Sequence, residues 1–280
     1  MTRRTACIAL ATVLLATQAH GGELATFSFT IDGDRFTYAD AVRTFSGRFH
    51  APTGSVRVGA LVLDHGQGGT PASFPNWSTF ASWGVVLVAP ELTHIAGGET
   101  APATTGHAAE NLARGVACVR ALQSLAFVDP ARIGFFGHSK GAYAAIGQVS
   151  ALGGEVRVAA MTAGGVVPDT FGAAQAAPTH TESAGVTAPF LMLHGSIDDA
   201  VPPARSLDFS QRLDAAGVPN VRHVYDVSSL APGVQHNFHQ DPTINGDLVA
   251  RLHAWYAQWG LFGDAEIALF GDGFEAPSAN

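Results

Sequence analysis

From residue 59 onward the chain alternates two kinds of segment, and that alternation limits the folds open to it more than any other feature. Short apolar runs occur at 59–63, 85–89, 133–136, 156–161, 189–193 and 221–227. They are β-branched or aromatic in part, the pattern of strands buried on both faces. Between them lie longer stretches with helical spacing, at 108–126, 142–152, 204–216 and 248–259. Strand and helix in regular exchange predict a single α/β domain: a mostly parallel central sheet with helices on both faces. Ahead of this, 26–31 and 42–50 alternate in the manner of an antiparallel pair, with the turn signal Asp32-Gly33-Asp34 between them.

Composition narrows the partners. The 280 residues are 47% hydrophobic and 14% charged, enough apolar material for a substantial core. Acidic residues outnumber basic ones 23 to 15, and no basic tract is present, which argues against nucleic acid and anionic membrane surfaces as partners. The N-terminus has Arg3 and Arg4, an apolar run over 6–16, and small residues around Ala19 to Gly22. This reads as a signal peptide, residues 1–21, and predicts a secreted or periplasmic protein with no membrane span after cleavage. Losing two arginines leaves 13 basic against 23 acidic residues, a net charge of −10. Cys7 leaves with the leader, so Cys118 stands alone in a helical apolar pattern and reads as a buried core residue. The catalytic domain is expected over 22–262, followed at 263–280 by a tail rich in Asp, Gly, Pro and Ser to which the sequence assigns no role.

Chemistry concentrates where predicted strands end. Gly137-His138-Ser139-Lys140-Gly141 follows the run 133–136 and precedes a helical pattern. A serine there sits on a sharp turn whose crowding demands glycine two residues to either side, which makes Ser139 the candidate nucleophile. A serine hydroxyl needs a base within hydrogen-bond reach and a carboxylate to orient that base. After the run 189–193 come His194-Gly195-Ser196-Ile197-Asp198-Asp199, with Asp198 the first choice and Asp199 the reserve; Asp169 is a weaker third. His223 falls inside a predicted strand and His253 inside the last helix. That leaves His236 and His239 in the loop 231–241, with His236 preferred.

An acyl-transfer intermediate also needs donors for its negative oxygen. The Lys140 N–H, next after the nucleophile, is one candidate. The Gln67 N–H, in the glycine-rich loop Asp64-His65-Gly66-Gln67-Gly68-Gly69, is the other. His65 precedes the nucleophile and reads as structural, and the side chain of Lys140, the single lysine, is assigned no part.

Together these pieces resemble the α/β-hydrolase superfamily, and within it the dienelactone-hydrolase-like, lidless serine esterases. The likeness rests on His65-Gly66, the lead-in Asp129-Pro130-Ala131-Arg132-Ile133, the G-H-S-K-G elbow, His194 to Pro202, and Gln235-His236-Asn237-Phe238, and it spans roughly 45–262. It implies an α/β-hydrolase fold, the chain order Ser, Asp, His, and the assignments Asp198 and His236. Ala142 stands where many members have a further glycine. Ser139 stands where dienelactone hydrolases proper have cysteine, which argues against dienelactone hydrolysis itself. Only 169–188 fills the interval where lids are inserted, so no large lid is expected. Ligands of such sheets sit beyond the strands' carboxyl ends, which makes Phe74 and Trp77 candidate substrate contacts. Glu91, His94 and His107, or His236 and His239, offer no clear third ligand in sequence, so neither metal nor cofactor is expected. The leading expectation is hydrolysis of a small or medium carboxylic ester through an acyl-enzyme. A peptidase or acyltransferase with the same groups, or an inactive binding protein, are the alternatives.

Overall fold

The Asp32-Gly33-Asp34 signal makes a two-residue hairpin turn. Gly33, at φ 59°, joins β2 (Ala25–Asp32) to β3 (Arg35–Ala39), with Asp32 opposite Arg35. The expected partner at 42–50 is one strand further on. β3 buries Phe36 and Tyr38 in alternation, but at five residues, opened by the charged Arg35, it is too short to stand out in sequence. The Asp40 carboxylate then accepts the Val42 and Arg43 N–H groups and turns the chain into β4 (Thr44–His50), leaving Val42 exposed in the turn. This computed structural model describes residues 12–17, 25–54, 56–174 and 176–263. β1 (Thr12–Thr17) pairs antiparallel with β2 and falls inside the stretch expected to be a leader. The tail from 264 lies outside the described residues.

Six strands carry the parallel part: β5 (Val58–Asp64), β6 (Val86–Pro90), β7 (Val128–His138), β8 (Val158–Thr162), β9 (Phe190–Gly195) and β10 (Asn220–Tyr225). The sheet order is β1-β2-β3-β4-β6-β5-β7-β8-β9-β10, with β4 antiparallel to β6 and every later pairing parallel. The continuous apolar runs follow from burial on both faces. Leu61, Leu63, Phe136, Leu191 and Leu193 point to one side, and Ala60, Val62, Phe135, Phe190 and Met192 to the other. Helices α2 (Ala109–Ser124), α3 (Lys140–Leu152) and α4 (Ala204–Ala215) cover the second face. Helices α1 (Trp77–Ala81) and α5 (Pro242–Gln258) cover the first. Each large side chain so enclosed contributes about 1.5–3 kcal/mol. The buried Tyr256 hydroxyl and Trp255 indole N–H of α5 donate to the carbonyls of Phe135 and Ala159, so their polar ends are satisfied as well.

α5 begins six residues before the apolar pattern at 248. Asp241 caps it by accepting the Thr243 N–H, and Pro242 occupies the first turn, where its missing N–H costs nothing. The polar stretch Asn245-Gly246-Asp247 hides this start from a periodicity reading. Between β8 and β9 the chain makes a short 3-10 turn (Asp169–Ala174) and a bridge from Val167 to Thr179, in keeping with the short interval. No helix among the described residues is long and apolar enough to cross a membrane.

Candidate active site

The β7–α3 junction fixes the nucleophile candidate. Ser139 has φ 56° and ψ −122°, a conformation that L-residues rarely occupy and that a rigid surround must hold. The flanking glycines are steric necessities. A Cβ on Gly137 would lie 2.4 Å from the Gly141 carbonyl oxygen, and one on Gly141 would lie 2.1 Å from the Asp64 carbonyl oxygen. Ala142, the departure from the family pattern, is accommodated because Gly164 faces it; a Cβ there would meet the Ala142 methyl at 2.4 Å.

The side chains expected from three strand ends converge. His236 Nε2 lies 2.8 Å from Ser139 Oγ, and His236 Nδ1 lies 2.9 Å from both Asp198 oxygens. Asp198 also accepts the Ala200 and Val201 N–H groups at 2.9 and 2.8 Å, and His194 Nε2 stands 3.4 Å from its Oδ2. Burial alone would raise the Asp198 pKa. The hydrogen bonds from His194, His236 and Val201 outweigh it and hold the carboxyl well below the usual range, so the group is an anion facing an imidazole N–H. Asp199 is used elsewhere, since its carboxylate accepts the Gly233 N–H at 2.6 Å and ties down the loop that carries His236. Asp169 is exposed and accepts the Thr181 N–H. His223 stacks edge-on against Tyr225, and His253 is wedged between Trp83 and Phe262.

Three histidines beside the site have roles that sequence reasoning missed. His194, fully buried on β9, lies 2.9 Å from the Val201 carbonyl and braces the turn that presents Asp198. His138 and His239 pack on one another at 4.1 Å between ring centroids, and His138 lies 5.0 Å from the His236 ring. Burial lowers the pKa of both, His239 to about 4, and the proximity of His236 lowers them further, so neutral rings flank the base candidate. His194 and His138 both occur inside the two loop motifs; adjacency to Asp198 and Ser139 was the signal available.

The glycine loop after β5 runs beside the nucleophile, since a Cβ on Gly66 would lie 3.3 Å from Ser139 Cβ. His65 orders it. Its Nε2 accepts the Leu92 N–H at 3.1 Å, which leaves the proton on Nδ1 to donate to the Gly66 carbonyl at 2.9 Å. In a trans peptide the N–H points opposite its carbonyl, so this bond also aims the Gln67 N–H. Among the described residues neither the Gln67 nor the Lys140 main-chain N–H has a hydrogen-bond acceptor. Lys140, in the first turn of α3, is one of the helix donors that have no partner within the helix. Phe74 and Trp77 depart from expectation. They are 5% and 8% exposed, Phe74 packs against Phe80 and Phe136, and Arg48 stacks on Trp77 at 4.3 Å. These rings belong to the core under the loop and do not form an open acyl surface. His94 is spent on the His65 carbonyl and the Gly106 N–H, and His107 faces Glu182.

A hydroxyl, an imidazole and a carboxylate in line, beside two unpaired N–H groups, can carry out acyl transfer. The sequence profile of the dienelactone hydrolase family matches residues 57–265. No curated protein matches the chain. Among solved structures, the chain is similar to a thermophilic esterase of Thermogutta terrifontis with butyrate bound, at 17% identity and TM-score 0.62, covering 80% of this chain and 92% of that one. It is similar also to a putative dienelactone hydrolase of Klebsiella pneumoniae, at 15% identity and TM-score 0.60, covering 89% and 99%. Porphyromonas gingivalis dipeptidyl peptidase 4 matches at 17% identity and TM-score 0.62, covering 84% of this chain, which spans 35% of the peptidase's length. At these identities the likenesses establish the α/β-hydrolase fold.

Proposed function

The chain belongs to the dienelactone hydrolase family, and from that premise we propose that it is an exported serine esterase acting on small or medium carboxylic esters. The observation that carries the reading is the hydrogen-bonded line Ser139–His236–Asp198, at 2.8 and 2.9 Å, behind a serine held at positive φ. In this reading Ser139 Oγ attacks the ester carbonyl carbon while His236 Nε2 takes its proton. Asp198 keeps the imidazole in the Nδ1–H tautomer and stabilises the imidazolium. The carbonyl oxygen, now negative, accepts from the Gln67 and Lys140 N–H groups. As the intermediate collapses, His236 returns the proton to the departing alcohol. Water then repeats the sequence on the acyl-enzyme and releases the acid. Export would remove residues 1–21, and with them β1.

Ser139→Ala or His236→Ala should each lower p-nitrophenyl ester turnover at least about a thousand-fold, and Ser139→Ala should abolish labelling by a fluorophosphonate. Retained turnover in the Ser139→Ala protein removes the serine mechanism. The peptidase reading draws on the dipeptidyl peptidase likeness and is separated by amino-acid anilides: turnover of anilides exceeding that of matched esters would favour it.

A further inference from the structure

The two N–H donors sit on separate elements, Gln67 on the loop after β5 and Lys140 at the start of α3, and such donors act only if their spacing is held to a fraction of an ångström. A third element receives a side-chain bond from each of the same two residues. Gln67 Nε2 donates to the Glu99 carbonyl at 3.2 Å. Lys140 Nζ donates to Thr105 Oγ1 at 3.0 Å and to the Thr100 carbonyl at 3.4 Å. The Thr105 hydroxyl passes its own proton to the Ala101 carbonyl at 2.9 Å, so it is free to accept from the ammonium.

The far side of this segment is fixed to the same loop. Buried His94 uses Nε2–H on the His65 carbonyl at 2.9 Å and accepts the Gly106 N–H at Nδ1 at 3.3 Å. The Gly68 and Ala96 N–H groups close the seam by donating to the His94 and Gly69 carbonyls. Lys140 is the single lysine of the chain, and among the described residues no carboxylate lies within 4 Å of its ammonium. The ammonium instead meets neutral oxygens of the segment 100–105. A solvent-seeking charge held half-buried on neutral oxygens has its function in those bonds.

We propose that the Lys140 side chain is a positioning residue: through Thr105 and Thr100 it locks the segment 99–105 to the nucleophile turn, and with Gln67 makes that segment a cross-brace that sets the distance between the two oxyanion donors. The proposal rests on the esterase reading of the site. Because the brace acts on the transition-state oxygen, its loss lowers kcat and leaves KM nearly unchanged.

The test replaces one end of the brace at a time. Lys140→Met keeps the main-chain N–H and removes the ammonium; Thr105→Val removes the acceptor without changing shape. Each should lower kcat about 10- to 100-fold, the range set by an ångström-scale misplacement. The double variant should lose less than the product of the two single losses, because the Lys140–Thr105 bond is removed in both while each single variant removes one further bond of its own, to Thr100 or to Ala101. Thr105→Ser, which restores the hydroxyl, should recover most of the rate. Amide hydrogen exchange at 66–69 and 99–106 should quicken in Lys140→Met and Thr105→Val while the urea midpoint stays near that of the parent. Single variants with parental kcat, or fully multiplicative losses, overturn the brace. Ser139→Ala assayed alongside keeps the two readings apart. If it is dead while Lys140→Met turns over at the parental kcat, the brace fails and the esterase stands; if it stays active, the esterase reading itself has failed.

Discussion

Replacing Gly141 by alanine adds one methyl group at a crowded point beneath Ser139. The new Cβ would sit 2.1 Å from the Asp64 oxygen, 2.5 Å from the Asp64 carbon and 2.6 Å from the His65 oxygen, all main-chain atoms of the β5 end. Ordinary contact begins at 3.4 Å, so α3 and β5 must separate by about 1.3 Å. Neither can yield by a side-chain rotation, because both are buried on the sheet. Overpacking of this kind costs about 1–3 kcal/mol, and a main-chain clash belongs at the upper end. The same displacement carries the Lys140 N–H away from the Gly66-Gln67 peptide, since Asp64 and His65 lead directly into that loop. A shift near 1 Å between reacting and stabilising groups costs about 100-fold in rate. Gly141→Ala should therefore lower the urea midpoint by the equivalent of about 3 kcal/mol and kcat/KM for a p-nitrophenyl ester about 100-fold. Gly154→Ala, whose Cβ would meet nothing within 4 Å, is the control. If Gly141→Ala keeps both the midpoint and the rate of the parent, the steric account of the elbow is wrong.

Three further outcomes follow from other parts of the fold. Gly246, exposed within α5 and with open space at its Cβ position, should tolerate Gly246→Ala with a gain of about 0.5–1 kcal/mol in urea unfolding, and a loss would contradict the helix assignment there. Asp64 is fully buried, its carboxyl oxygens have no hydrogen-bond partner among the described residues, and burial raises its carboxyl well above its ordinary 3.8. Holding a proton that the unfolded chain releases, it contributes stability that fades as pH rises above 3.8; Asp64→Asn should gain on the parent steadily from pH 4 upward, and a constant difference would count against a protonated Asp64. His94 is held to about 3 by burial, so the folded protein stays neutral there while the unfolded chain takes up a proton below 6.5. Its share of stability is full above 6.5 and falls by about 1.4 kcal/mol per pH unit below it. His94→Gln should show a shallower decline between pH 6.5 and 4.5, and equal slopes would refute the assignment.

The strands β5 to β10 and the helices α2 to α5 were legible because each answers to a local rule: two-sided burial gives unbroken apolar runs, and one-sided burial gives helical spacing; the five-residue α1 is too short to show that spacing. The turn that bears Ser139 was legible from its flanking glycines, which are demanded by contacts within the strand-turn-helix unit at 137 and with the end of β5 at 141. β3 and the first turns of α5 escaped because short, polar or charged stretches carry little periodicity, and their stability comes from neighbours and a cap.

The order of residues already specified the alternating sheet, the turn that bears Ser139, and which loops hold acids and histidines. It ranked Asp198 above Asp199 and His236 above His239 without being able to measure either pair. Folding alone gave each of these side chains its place: Asp198 on the imidazole, Asp199 on the Gly233 N–H, His65 and His94 on the glycine loop after β5, Phe74 and Trp77 in the core, Lys140 on the segment 99–105. The physical reason is range. Burial period and steric demand are set within a few residues and are written in the order of the chain. Hydrogen bonds between side chains 38 and 97 positions apart exist only once the sheet has brought its strand ends together.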